Sequence, residues 1–168
     1  MLLLIFSSSL LGFNFDKIDT FQADFSQSIF NQSGKEIKYT GKVFLKKPFK
    51  ILWEYSEPIQ KNVYLIDNNV TIIEPDLEQA IFSKIDKEIN ILKIIQSGKE
   101  IAPNTYESIL YNRPYQFLIS NNQLSSIQYT DDVDNKIVIN FSNISQNQPI
   151  KDAIYRFDIP SEYDIIRK

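Results

Sequence analysis

Few residues in this 168-residue chain could carry out chemistry. It contains no cysteine and no histidine, which excludes thiol nucleophiles, histidine-based triads and the usual zinc sites. Asp131, Asp132 and Asp134 could hold calcium, but the loop lacks the glycine and distal glutamate of a calcium-binding hand, so a solvated hairpin tip explains them better. Gly98-Lys99 lacks the other elements of a phosphate-binding loop. The sequence therefore predicts a protein that is not an enzyme and needs no cofactor or metal.

The bulk composition narrows the class of protein further. A formal net charge of -3 and a pI near 5.0 argue against nucleic-acid binding, which calls for a basic face. Hydrophobic residues make up 43% of the chain and aromatic residues 13%, and Phe and Tyr favour strands. The length fits one domain with a core of its own. We expect that domain to act as a monomer.

The N-terminus carries a short apolar run with a serine patch, residues 2–11. It is too short to cross a bilayer, which needs about 20 residues, and it resembles the apolar core of a secretory signal peptide. No basic segment precedes it, so two alternatives stay open: the true start lies upstream, or the run is a buried strand or helix of the mature fold. We expect residues 1–12 to be a signal peptide or its remnant and residues 13–168 to form a single domain.

The elements that must position any site are mainly strands. Phe21, Ala23 and Phe25 alternate with polar residues, which is typical of a half-buried strand, and similar runs predict a meander through residue 82 and more strands from residue 115 onward. Residues 86–97 carry apolar side chains at helical spacing. The prediction is a mainly β (α+β) fold of nine to eleven strands with two or three short helices, in which the antiparallel strands form a single highly curved sheet or an incomplete barrel.

Several large apolar side chains are predicted to share the inner face of this sheet. An ordinary filled core is one explanation, and a ligand cavity under the helical lid is the other. The members of this set are Phe44, Trp53, Tyr55, Phe117, Tyr129 and Phe157.

Ordered motifs add a family resemblance. The chain is similar to the periplasmic lipoprotein carrier family LolA in its opening strand, in a Gly-to-Pro strand, in an aromatic strand ending near a proline, in a Pro-Asp-Leu-Glu-Gln turn and in a closing Phe-Asp-Ile-Pro segment. The corresponding residues are 21–27, 41–48, 49–58, 74–79 and 157–160. The first half of the mature chain resembles the family well, and residues 89–148 do so only in outline.

The resemblance implies an open barrel whose apolar cavity receives the acyl chains of lipoproteins in the periplasm. It implies an inner-membrane ABC-type releasing complex as donor and an outer-membrane acceptor as recipient. By position it places Ile51, Trp53 and Tyr55 in the cavity and Ile91, Leu92 and Ile94 in the lid. The predicted pattern of the sheet and helix adds cavity and lid residues, namely Phe44, Leu65, Ile72, Phe117, Tyr129 and Phe157 for the cavity and Ile95 for the lid.

One position departs from the family. Where the family usually has an arginine that holds the lid through helix backbone, this chain has Lys47. A lysine ammonium is a point charge without the five-donor fork of a guanidinium, so we expect Lys47 to be a looser lid latch.

Three alternatives stay open at this stage. A glycolipid carrier or an envelope-stress sensor would use the same fold for another ligand. An enzyme would need a cluster of carboxylates inside the cavity. A purely structural β-protein would have a filled core.

Overall fold

The computed structural model describes residues 13, 15–84 and 91–168. In this part of the chain there are twelve strands, one α-helix (α1) and three 3-10 turns (η1 to η3). Their bounds are η1 Phe15–Lys17, β1 Thr20–Phe30, β2 Glu36–Lys46, β3 Lys50–Glu57, β4 Lys61–Ile66, β5 Asn69–Glu74, η2 Pro75–Leu77, β6 Gln79–Lys84, α1 Ile91–Gln96, β7 Lys99–Ala102, β8 Thr105–Leu110, β9 Arg113–Ser120, β10 Gln123–Thr130, β11 Lys136–Gln146, η3 Asp152–Tyr155 and β12 Asp164–Arg167.

The described strands form one sheet in the order β12-β6-β5-β4-β3-β2-β1-β11-β10-β9-β8-β7. Every neighbouring pair is antiparallel except β12, which runs parallel to β6. The edge strands β12 and β7 are not paired with each other, so the sheet is open. The predicted curved antiparallel sheet with few helices is confirmed, and the parallel edge strand β12 is an addition to it.

Side chains alternate between the two faces of β1, and Gly41 of β2 marks a place where strands approach each other closely. On β1, residues 21, 23 and 25 are buried and face Leu45, Val43 and Gly41 of β2. A Cβ at Gly41 would overlap the carbonyl of Glu54 and the ring of Phe25. The register between β2 and β3 shifts at this point. Gly41 therefore permits a close approach that a larger residue would block.

The structure corrects the predicted elements at two places. No strand is predicted between the helix at 86–97 and residue 115, but β7 and β8 lie there. The alternation of apolar and polar residues is weak there, because β7 is exposed throughout and β8 buries Ser108 while exposing Ile109. The strand expected at residues 155–159 is instead η3 followed by extended chain without strand pairing. The predicted helix at 86–97 is described only from Ile91, and the expected leader, residues 1–12, lies outside the described residues.

Two apolar clusters lie on opposite faces of the sheet. The covered-face cluster lies beneath α1 and η1, and the outer-face cluster lies beneath the C-terminal segment. The covered-face cluster includes Phe21, Phe25, Val43, Leu45, Ile51, Trp53, Leu65, Phe117, Ile127, Ile139 and Phe141. The outer-face cluster consists of Leu52, Tyr64, Ile73, Ile150 and Tyr155, with Phe44, Ile66, Ile154, Phe157, Ile159 and Tyr163 packed against them.

Candidate functional site

Strand β3 places three predicted site residues on the covered face. Ile51, Trp53 and Tyr55 alternate along the strand, and all three belong to the covered-face cluster. The Trp53 ring is 4% exposed and lies edge-on to the Phe25 ring, with 5.0 Å between ring centroids. An aromatic floor therefore runs along the centre of this face.

Helix α1 adds isoleucine side chains to the covered-face cluster and contacts β8 and η1. Ile91, Ile94 and Ile95 are 0%, 1% and 3% exposed and belong to the same cluster. Their spacing of three and four residues places them on one side of the helix. Leu92 lies within α1, but its side chain lies outside the described residues. In this conformation the three isoleucines are buried in the covered-face cluster, so a ligand that binds where they pack must displace them.

The turn η1 supplies a second cover. The Phe15 ring lies 5.4 Å from both the Tyr106 and the Phe117 rings, and Phe13 packs on Phe15 at 4.5 Å. η1 also contacts α1. The covering role of η1 was not predicted from the sequence, although the two closely spaced phenylalanines, Phe13 before the turn and Phe15 within it, could have indicated it.

The C-terminal end of α1 is attached to β8 and β9. The hydroxyls of Ser97 and Ser108 are hydrogen-bonded to each other, and Ser108 is buried. A Cβ at Gly98 would overlap the Phe117 ring, so this glycine lets the chain leave the helix directly against the ring. This end of the helix is therefore closely fixed to the sheet.

Lys47, the predicted latch, contacts η1. Its ammonium donates to the backbone carbonyl of Asp16 at 2.8 Å and lies 3.9 Å from the Asp19 carboxylate. The Lys47 side chain is 22% exposed, so water reaches the contact. This lysine thus contacts the backbone of η1, which was not among the predicted lid residues, and its role as a lid latch stays a prediction.

The remaining predicted cavity residues divide between the two faces. Leu65, Ile72, Phe117 and Tyr129 lie in or against the covered-face cluster. Phe44 and Phe157 pack in the outer-face cluster, so their prediction as residues of the covered face is wrong. Phe44 alternates with the inward-facing Val43 and Leu45. The Phe157 ring packs at a tilt against the Tyr64 ring on the outer face, with 4.8 Å between ring centroids.

Tyrosine hydroxyls lie at one end of the covered face and add no charge to it. Burial, followed by the nearby Tyr39, raises the pKa of the Tyr55 phenol, whose hydroxyl donates to Gln27 at 3.1 Å. Burial, followed by Tyr55 and Tyr115, also raises the pKa of Tyr129. Both phenols therefore stay neutral at physiological pH. This arrangement suits an uncharged apolar ligand.

Fold and site together define a class of protein. The fold is similar to that of a LolA superfamily protein from Nitrosomonas europaea. That crystal structure matches with a TM-score of 0.50 at 10% identity, covering 84% of this chain and 91% of the other. At that identity the match establishes the fold alone.

Sequence comparison then gives the family. Residues 16–101 match the family described as outer membrane lipoprotein carrier protein LolA. An outer-membrane lipoprotein carrier protein of Wolinella succinogenes is 31% identical over 92% of this chain and 90% of its own length. One of Campylobacter jejuni is 33% identical over 94% of this chain and 90% of its own length. This chain belongs to the LolA family, and the predicted resemblance is confirmed.

Proposed function

We propose that this protein carries lipoproteins through the periplasm by enclosing their acyl chains between the covered face and a lid made of α1 and η1. The observation that carries the proposal is the covered-face cluster, in which Ile91, Ile94 and Ile95 of the helix are buried together with the apolar side chains of the sheet, Trp53 among them. The relatives' names, outer-membrane lipoprotein carrier proteins, support the choice of cargo.

The energetics favour a reversible carrier. Burial of an acyl chain is worth about 0.8 kcal/mol per methylene, so acyl chains stay associated with an apolar site instead of water. Opening the lid exposes the three α1 isoleucines, each worth about 1.5–3 kcal/mol when buried. Since the closed lid competes with the acyl chains for the same surface, the net affinity is reduced and the cargo can be released.

The proposed route follows from the family. An inner-membrane ABC-type complex hands acylated lipoproteins to the carrier, and an outer-membrane acceptor receives them. The protein acts by binding and not by catalysis, as a single carrier domain over residues 13–168 and as a monomer. In the part of the chain that the structure describes, no helix is both long and apolar enough to cross a bilayer.

The test is to isolate the protein from the periplasm of producing cells and to identify bound molecules by mass spectrometry. We expect acylated proteins with the wild type and none with Trp53→Glu. An acyl chain bound on the aromatic floor would remove water from the new carboxylate, which is unfavourable. Leu118→Glu is the matched control, since it adds the same charge at an exposed apolar position on β9. Circular dichroism checks that each variant is folded.

Two results would contradict the proposal. Acylated proteins that remain bound to Trp53→Glu would show that the covered face is not their site. A glycolipid recovered in place of acylated proteins would assign the same fold to a different cargo.

A further inference from the structure

The end of η1 is bound by two side chains that come from distant parts of the sequence. The Asp16 carbonyl accepts the ammonium of Lys47 at 2.8 Å, and the Lys17 carbonyl accepts the side-chain amide of Asn147 at 2.9 Å. Carbonyls at the end of a helical turn have no partner within the turn. These two contacts therefore fix η1 where its own backbone cannot.

Asn147 is bonded to the same segment at three points. Besides its amide contact to Lys17, its Oδ1 accepts the backbone N–H of Asp19 at 2.8 Å, and its own backbone N–H donates to the Thr20 carbonyl at 2.9 Å. Its φ is 56°, a left-handed conformation that asparagine adopts more readily than most residues. The residue type thus fits both the backbone and the contacts.

The two donors approach η1 from either side of β1. Lys47 follows β2 and Asn147 follows β11, and these two strands are the neighbours of β1 in the sheet. Lys47 also donates its backbone N–H to the Asp19 carbonyl at 2.9 Å. The segment that links η1 to β1 is therefore held from both flanks.

We propose that Asn147 is a second positioning residue of the lid, which forms with Lys47 a two-donor clamp that holds η1, and with it the Phe13 and Phe15 rings, over the covered face. The inference rests on the proposed function in treating η1 as part of the lid. Where the family usually has an arginine, whose guanidinium offers several donors, this chain uses one donor from Lys47 and one from Asn147. Each contact is reached by water, so the clamp can open without unfolding the sheet.

Three variants test the clamp. Asn147→Gly removes the side chain and keeps the left-handed backbone, and Asn147→Asp keeps an acceptor for Asp19 but loses the donor to Lys17. Asn143→Gly is the matched control, because Asn143 also has a positive φ of 50° but donates to Asp24 at 2.6 Å.

The first measurement is hydrogen exchange by NMR on the full, ligand-free chain. The reporter is the Ile18 amide, whose N–H is bonded to the Phe15 carbonyl within η1. It belongs to the same peptide unit as the Lys17 carbonyl that accepts from Asn147, so it reports directly on this end of the turn. We expect both Asn147 variants to exchange this proton about tenfold faster than wild type, with the Ile139 amide in the centre of β11 unchanged. Combined with Lys47→Met, Asn147→Gly should give a non-additive effect, because the two side chains hold one element.

The second measurement is the affinity for a dansyl-labelled diacyl lipopeptide, which should rise in both Asn147 variants by a factor similar to the gain in exchange. Ile18 exchange that changes no more than in Asn143→Gly would overturn the clamp, even with normal lipopeptide binding. An equal rise in Ile139 exchange would also overturn it, because Asn147 would then stabilise the sheet as a whole. Faster Ile18 exchange in a protein that never binds the lipopeptide would support the clamp and count against the proposed function.

Discussion

The two apolar clusters lie on opposite faces of one sheet, yet they are closed in different ways. Over the outer face the chain crosses through η3, where Asp152 pairs with Lys46 at 3.1 Å and Lys50 at 2.9 Å, and then continues into β12 beside β6. The covered face is closed by η1 and α1, which add no strand to the sheet. Under the proposed function, the outer core stays closed and the covered core opens.

The alternation along β3 separates these two roles residue by residue. Ile51 belongs to the covered-face cluster, its neighbour Leu52 to the outer-face cluster, and Trp53 to the covered face again. Adjacent substitutions can therefore test ligand binding and stability separately.

The largest difference is expected between Ile51→Glu and Leu52→Glu. Both side chains are buried, at 2% and 1% exposure, and a buried unpaired carboxylate costs several kcal/mol or more. Lid opening can hydrate the new charge at Ile51, so that variant should keep its sheet and lose acyl binding. The proposed lid does not cover Leu52, so its opening would not hydrate a carboxylate there. The free-energy cost of burying that charge is comparable to the total stability of a domain, about 5–15 kcal/mol. That variant should unfold.

Circular dichroism and lipopeptide titration measure the two outcomes. If Leu52→Glu remained folded while Ile51→Glu unfolded, the assignment of the permanent and the opening core would be reversed.

A smaller effect is expected from the adjacent lysines at the end of β2. Lys47→Met removes the ammonium that donates to the Asp16 carbonyl. Because the closed lid loses this hydrogen bond, lipopeptide affinity should rise by up to about tenfold. Lys46 pairs with Asp152 and donates to the Ile150 carbonyl at 3.1 Å on the outer face. Lys46→Met should lower the free energy of unfolding by about 1 kcal/mol or less and leave affinity unchanged. Equal effects of both variants on affinity would remove the distinction between the faces.

The smallest expected effect is the pH dependence of the outer closure. Hydrogen bonds from Lys50 and Lys46 lower the pKa of Asp152. Because the folded pKa lies below the unfolded one, about 3.9, the carboxylate stabilises the fold above that value and loses this contribution as pH falls through the lowered pKa. Denaturant unfolding should show wild type more stable than Asp152→Asn at about pH 7 and equally stable at about pH 2. A difference that persists in acid would show that the charge is not responsible.

The sequence predicted most of the sheet because period-two alternation is local. It worked at residues 21–25 and at Ile51, Trp53 and Tyr55, where polar neighbours mark the other face. It failed at Phe44 because Val43, Phe44 and Leu45 are all apolar, so the pattern does not say which face each takes. It failed at Phe157 because the alternation there belongs to a chain that lies across the sheet and not within it.

The contacts that hold η1 could not be predicted in the same way. Lys17 and Asn147 are 130 positions apart, and neither lies in a recognisable motif. Only the order of the strands, which places β2 and β11 beside β1, brings them together. The family resemblance led to Lys47 but gave no indication of Asn147.

The central claim is that acyl chains bind on the covered face beside Trp53, and fluorescence quenching tests it most directly. Trp53 is the single tryptophan of the chain, so the tryptophan emission reports on this floor alone. A diacyl lipopeptide with brominated acyl chains should quench that emission as it binds, and the same lipopeptide with bromine on its peptide end should not. Saturable binding of the brominated acyl chains without quenching of Trp53 would contradict the account.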